Sequence, residues 1–493
     1  MSEPKGEQTA TSSTHFQSSP SAPFAHDPYV PPRNGRRLID DIPTELLVQI
    51  FLCGAERRMI LHNGEAKLPF EVTISHVCKL WRDVAIDTPA LWSEIYVFEG
   101  LPFTQTSIYL ERSKCAPLDI RIDLDDEVHR GTSPLAAILD LIIPHVFHWR
   151  SLWFKASQYD QMDYAFTRMG LCSGAPMLEA LRLHYVPDDG DEDEDDEDMP
   201  VFYTSAGDLF SGNAPKLARN KLWSIHLNWA ASLLLSGLVE VDFAQQGNDS
   251  RQSFEDFSRM LRESPGLESL SLMHAGPVSI ESQTSRPGEN DTILCLPSLR
   301  RLTIDTSDPP VNFFERLAFP NLTRLTLYIV SQEGPTNGEE VVQALLRPSP
   351  ATGRSALSGL QSLRIGGWLS LDFESGMVAL SRGWYDVLTA QWESIANTNE
   401  EPLLPQLQAL RLIGFSGKDM RHLIKEGCWG GRQSRVVEVR KAIQRPIEGV
   451  FVHCDSELTE EDELWIDNNV GEFRYYGELV MERSISDTEE DTD

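Results

Sequence analysis

His145 and His148 stand three positions apart, a spacing at which two helical imidazoles can share a metal ion. No nearby Cys or carboxylate ligand joins them, so they read as ordinary residues at a helix end. His453 and Cys454 are adjacent, and neighbours on a strand point to opposite faces, which is poor for metal binding. Cys78 has the type of a nucleophile, but it falls on an apolar helical face, where a buried thiol is inert. The phosphate-cradling G-x-x-x-x-G-K-[ST], the dinucleotide G-x-G-x-x-G, the hydrolase G-x-S-x-G and the zinc-binding H-E-x-x-H are all absent. The residues therefore predict a chain that is not an enzyme, with no catalytic, cofactor-binding or metal site.

Composition narrows the partners. The 493 residues carry a formal charge of −32, which speaks against a broad nucleic-acid face, because phosphate neutralisation needs clustered Lys and Arg. Ten acidic residues lie in one run, Asp188 to Asp198, where mutual repulsion predicts a solvated loop. The seven cysteines include no C-x-x-C pair and read as free thiols of a reducing compartment. The N-terminal stretch has no apolar segment of the secretory type, and the longest apolar run, LAAILDLIIPHVF, is broken by Asp140 and Pro144. A chain in the cytoplasm, the nucleus or both, without a membrane span, is expected.

With no chemistry to position, the informative elements are those that could dock. Between Leu38 and Ile95, Pro43 suits a first helical turn and Glu45 puts negative charge at its dipole-positive end. Leu46, Leu47, Ile50 and Phe51 then recur at helical spacing as one wide apolar face. A second helix is predicted to carry Val77, Cys78, Trp81, Val84 and Ala85 on one side, and Pro89, Leu91, Trp92 and Ile95 close the unit. About 60 residues bury little by themselves, so a face this apolar needs a following domain or a partner.

The I-P-x-E-L-L-x-x-I-F opening, the V-C-x-x-W-R core and the T-P-x-L-W ending, in that order, resemble the F-box, and in particular F-box proteins of fungal type. Between Gly54 and Val72 the chain is longer and more polar than the compact form of that family. The resemblance implies docking onto the Skp-type adaptor of SCF ubiquitin ligases, and through it onto cullin and a RING subunit. It points to Pro43, Leu46, Leu47, Ile50, Phe51, Val77, Cys78, Trp81, Leu91 and Trp92 as the set that touches or shapes the adaptor contact.

Beyond the F-box the pattern L-x-x-L-x-L keeps returning. Copies preceded by proline begin at Leu178, Leu267, Leu299, Leu322 and Leu407, and weaker ones at Trp149, Leu222, Leu238, Leu360 and Ile447. The last two apolar positions lie two apart and share one face of a strand, which only stacked neighbours can cover. This resembles leucine-rich repeats. The starts are 16 to 47 residues apart, and Val186, Ala275, Ser307, Val330, Trp368 and Phe415 stand where the family has Asn or Cys, so an irregular stack is expected. The starts at 222 and 238 are too close for both to be repeats. Helices are predicted at 134–148, 253–264, 338–347 and 417–427, and Trp465, Phe473, Tyr475 and Tyr476 suggest a closing cap.

The expected fold class is α/β, an N-terminal helical F-box followed by an irregular leucine-rich-repeat solenoid. The expected domains are a disordered tail over 1–35, the F-box over 36–98, the solenoid over 99–478 with an acidic loop at 187–199, and an acidic disordered tail over 479–493. The function expected is a substrate-recruiting subunit of an SCF-type ligase that binds a protein substrate. The alternative is a non-ligase scaffold whose F-box-like helices cap the solenoid.

Overall fold

The computed structural model describes residues 42–56, 68–124, 132–186, 202–203, 208–227, 232–246, 251–277, 293–306, 311–329, 338–348, 353–366, 404, 406–412, 428–429, 432–433, 449–453 and 459–476. The tails expected at 1–35 and 479–493, the acidic loop at 187–199, Cys454 and the helix expected at 417–427 lie outside these residues. The chain divides into two compact units, Met1–Ile86 and Asp87–Asp493.

Among its described residues the first unit holds three helices, α1 (Thr44–Glu56), α2 (Phe70–Ser75) and α3 (Lys79–Ile86). Val77 and Cys78 precede α3 instead of lying on it. The N–H groups of His76 and Val77 bond back to the carbonyls of Thr73 and Ile74, which ends α2 there. The Cys78 sulfur then accepts the Trp81 N–H at 3.5 Å, a side-chain cap for one of the first-turn donors that α3 cannot satisfy internally.

The second unit is built on an 11-stranded sheet whose pairs are all parallel and follow chain order. Its strands are β1 (Glu94–Val97), β2 (Leu118–Asp123), β3 (Trp149–Ala156), β4 (Ala180–Tyr185), β5 (Arg219–Trp223) and β6 (Glu240–Ala244). They continue as β7 (Ser269–Met273), β8 (Arg301–Thr306), β9 (Arg324–Ile329), β10 (Ser362–Gly366) and β11 (Ala409–Leu412). Parallel neighbours require a crossover between them. Helices supply several: α4 (Thr104–Ser113) before β2, α5 (Thr132–Ile142) before β3, α6 (Tyr159–Gly170) before β4, α7 (Phe254–Glu263) before β7, α8 (Val311–Arg316) before β9 and α9 (Gly338–Leu346) before β10. Near the C-terminus β12 (Gly449–His453) pairs in parallel with β13 (Glu472–Tyr476) across α10 (Glu460–Asn469).

The recurring motif accounts for the register. In copy after copy the first leucine donates its N–H to the carbonyl three residues back: Leu178 to Ala175, Leu217 to Ala214, Leu267 to Ser264, Leu299 to Leu296, Leu322 to Phe319 and Leu407 to Leu404. Proline occupies the second position of each of these turns, where its fixed φ is favoured. The two following apolar positions line up across the sheet as Ile120, Leu152, Leu181, Asn220, Val241, Leu270, Leu302, Leu325, Leu363 and Leu410, with Ile122, Phe154, Leu183, Leu222, Phe243, Leu272, Ile304, Leu327 and Ile365 beside them. All of these side chains are buried.

Two expectations need correction. The copy placed at Leu222 begins at Leu217, because Leu222 pairs with Leu183 and so holds the last apolar position. The spacing to the next copy at Leu238 thus becomes 21, and both are strands of the sheet. Asn220 hid this copy by occupying a leucine position, where it is fully buried and its amide donates to the Leu234 carbonyl at 3.3 Å. The helix predicted over 134–148 stops at Ile142, and Ile143–His148 form a 3-10 turn, since Pro144 has no N–H to continue an α-helix.

Candidate functional site

Helix α1 is anchored at Pro43, whose carbonyl accepts the Leu46 and Leu47 N–H groups at 3.0 and 3.1 Å. From there its apolar residues separate onto two faces. Leu47 and Phe51, one turn apart, are each 1% exposed, and the Phe51 ring meets Trp81 of α3 edge-on at 5.0 Å. Leu46 and Ile50, also one turn apart, are 55% and 52% exposed, and Cys53 continues that exposed edge. Pro43 is exposed, Val77 is 58% exposed and Leu80 is exposed, while Cys78 and Trp81 are half-buried. Val84 and Ala85 are buried. At Gly54 an added Cβ would lie 2.3 Å from the Phe70 ring, so this glycine is what lets α2 approach α1.

The closing block lies in the larger unit. Pro89–Trp92 form a 3-10 turn in which the Leu91 N–H bonds to the Thr88 carbonyl. Trp92 is fully buried, with Tyr109 of α4 edge-on at 5.1 Å and the Arg112 guanidinium 4.3 Å above its ring. Leu91 is buried beside it in sequence, and the chain runs on into β1. The residues expected at the adaptor contact therefore separate by geometry. Pro43, Leu46, Ile50 and Val77 offer surface, Cys78 and Trp81 are partly accessible, and Leu47, Phe51, Leu91 and Trp92 hold their own units together. Leu80 is an exposed apolar residue that the sequence reading placed in no role, although its place between the polar Lys79 and, one turn on, Asp83 was a signal.

The residues considered for chemistry do not converge. His145 and His148 sit in the 3-10 turn, and burial together with the neighbouring His148 lowers the His145 pKa. His453 lies on β12. Among the described residues no group of three His, Cys, Asp or Glu could hold a metal ion. Sequence reasoning passed over the sheet positions between the buried rows. There Arg121, Trp153, Arg182 and Lys221 stand side by side on β2 to β5, with Asp123, Lys155, His184 and Trp223 in the next such row. The Arg121 guanidinium lies 4.1 Å over the Trp153 ring, and His184 meets Trp153 at 5.6 Å and Trp223 at 6.0 Å. Burial, and then the charges of Lys155, Lys221, Arg182 and Arg121, push the His184 pKa down to about 3.

The described residues thus give a small helical unit with an exposed apolar edge, followed in the chain by a unit built on a parallel sheet. Residues 39–97 match the family model described as F-box-like. F-box domains generally bind Skp-type adaptors, so this segment gives the chain a role in protein–protein interaction. No curated protein matches the chain. Among the described residues no helix is long and apolar enough to cross a membrane.

Proposed function

We propose that this chain is the substrate-recruiting subunit of an SCF-type ubiquitin ligase. The F-box-like segment docks a Skp-type adaptor, and the larger unit, a leucine-rich-repeat-type solenoid, holds a protein substrate. The observation that carries the reading is the pair of opposed faces on α1, with Leu47 and Phe51 turned inward and Leu46 and Ile50 left in water. Burying a fully exposed Leu, Ile or Val side chain is worth about 1.5–3 kcal/mol, and Leu46, Ile50 and Val77 are each a little over half exposed, so covering them together offers roughly 2–5 kcal/mol before the costs of association. The strand register and the repeated proline turn support the solenoid assignment. The chain does no bond chemistry itself; it raises the effective concentration of a substrate lysine near the conjugating enzyme.

The test is co-purification with the Skp-type adaptor and cullin. Wild-type chain is expected to recover both, Leu46→Asp/Ile50→Asp neither, and the double variant should unfold at the wild-type denaturant midpoint. Recovery of adaptor by the double variant at the wild-type level refutes the docking face. A second reading, a scaffold whose F-box-like segment caps its own sheet, has one observation in its favour: Trp92 packs with α4 next to the edge strand β1. On that reading wild-type chain is recovered without adaptor or cullin.

A further inference from the structure

The second unit carries a basic and aromatic cluster that the adaptor reading does not use. Strand side chains alternate between faces. The rows holding Ile120, Leu152 and Leu181 are buried, so Arg121, Trp153 and Arg182 belong to the opposite face of the sheet. Across β2 to β5 that face presents eight positions in register: Arg121, Asp123, Trp153, Lys155, Arg182, His184, Lys221 and Trp223. Four are cations, one is a carboxylate and three are aromatic rings, in a chain whose formal charge is −32.

Neighbouring strands are about 4.8 Å apart, so Arg121, Lys155 and Arg182, on three successive strands, lie within about 10 Å of one another across the sheet. Arg121 stacks on Trp153, which occupies the face of the guanidinium and leaves its in-plane N–H donors for a carboxylate. His184 is buried between the two tryptophans and uncharged near neutral pH, so it fills the space between their rings without adding charge. The cluster has a boundary on one side: Lys221 lies 3.2 Å from Glu240 and 3.5 Å from Asp242 on β6. A ligand carrying negative charge is therefore directed over β2 to β4 and away from β6.

We propose that this face of β2 to β4, centred on Arg121, Lys155 and Arg182, is the docking site for a short Asp/Glu-rich peptide segment of a partner protein. The proposal names the substrate class of the reading above and rests on its sheet as the recruiting surface, not on adaptor docking. A short acidic peptide is favoured over a nucleic acid by range. Screening confines each charge to about 8–10 Å at physiological salt, so a segment that stays on the cluster meets local cations. A long polyanion extends onto the rest of a strongly acidic chain.

The test uses the full chain and a fluorescein-labelled 15-residue Asp/Glu-rich peptide, read by polarisation. The expected result is saturable binding that weakens as salt is raised, no binding of the Asn/Gln analogue, and at least a tenfold loss in Lys155→Gln/Arg182→Gln. Arg301→Gln, on the same face at β8, should bind as wild type. Should the double variant fold poorly, carbodiimide coupling of the peptide to the wild-type chain decides the matter, with Lys155 as the expected principal linked lysine. Unchanged affinity in a folded double variant, coupling spread evenly over other lysines, or tighter binding of a 15-mer RNA overturns the proposal. So does binding seen only after 188–198 is replaced by a neutral linker, which would assign the face to the chain's own acidic run. Adaptor recovery measured in parallel separates the two claims: loss of peptide binding with adaptor retained defeats this inference alone, and the converse defeats only the ligase reading.

Discussion

Replacing His184 with phenylalanine should change how stability depends on pH while leaving an aromatic ring between Trp153 and Trp223. The imidazole has an ordinary pKa of 6.5 and is held at about 3 in the folded chain, by burial first and by four nearby cations second. Between those values the unfolded chain carries a proton that the folded chain does not, so stability rises with pH across the window and falls on acidification. The slope for one proton is about 1.4 kcal/mol per pH unit. From pH 6.5 to 4.5 wild type should thus lose roughly 2–3 kcal/mol relative to His184→Phe. Urea unfolding of both chains at half-unit steps from pH 7.5 to 4.5 measures this, because carboxylate effects common to the two cancel in the difference. Parallel stability curves would refute the argument. An imidazole proton titrating near 6.5 in the folded chain would do so as well.

Phe51→Ala should cost about 3–5 kcal/mol in the helical unit, since it removes a buried ring packed against Trp81, and its denaturation midpoint should fall accordingly. Leu46→Asp, on the opposite face of the same helix, should stay within about 0.5 kcal/mol of wild type in the same assay. Gly54→Ala, which gains about 1 kcal/mol in an ordinary helix, should instead destabilise, because the new Cβ meets the Phe70 ring. Glu99 accepts the Gln105 and Thr106 N–H groups at 3.0 and 2.6 Å at the start of α4, so Glu99→Ala should cost about 1–2 kcal/mol by thermal denaturation.

Much of the sheet could be read from spacing because strands announce themselves by apolar residues two apart and, in the copies at Leu178, Leu267, Leu299, Leu322 and Leu407, by a proline ahead of the first leucine as well. The same logic misplaced one strand. Asn220 breaks the leucine pattern and leaves Leu222 as the apparent start, although Pro215 stands two places before Leu217 as in the copies at Leu178, Leu267, Leu299, Leu322 and Leu407. The α3 boundary was obscured because Val77 and Cys78 continue the apolar spacing, whereas the backbone bonds that close α2 depend on carbonyls no periodicity reveals. For the docking set, helical spacing grouped Leu46 with Leu47 and Ile50 with Phe51, although successive residues lie 100° apart and only packing partners decide which of each pair is covered. The outward rows of β2 to β5 carried no linear motif, since Arg121, Lys155, Arg182 and Lys221 come together only through strand register.

The turn at the head of each strand has a consequence for how such a chain can change over time. Most strands of the sheet are led by a bond made within four residues, as between Leu178 and Ala175 or between Leu322 and Phe319, so alignment there does not depend on how much polypeptide separates one strand from the next. Doubling a connecting segment costs only about 0.6 kcal/mol in closure entropy. Insertions between strands are therefore nearly silent for folding, and new segments can accumulate there until one of them acquires a use.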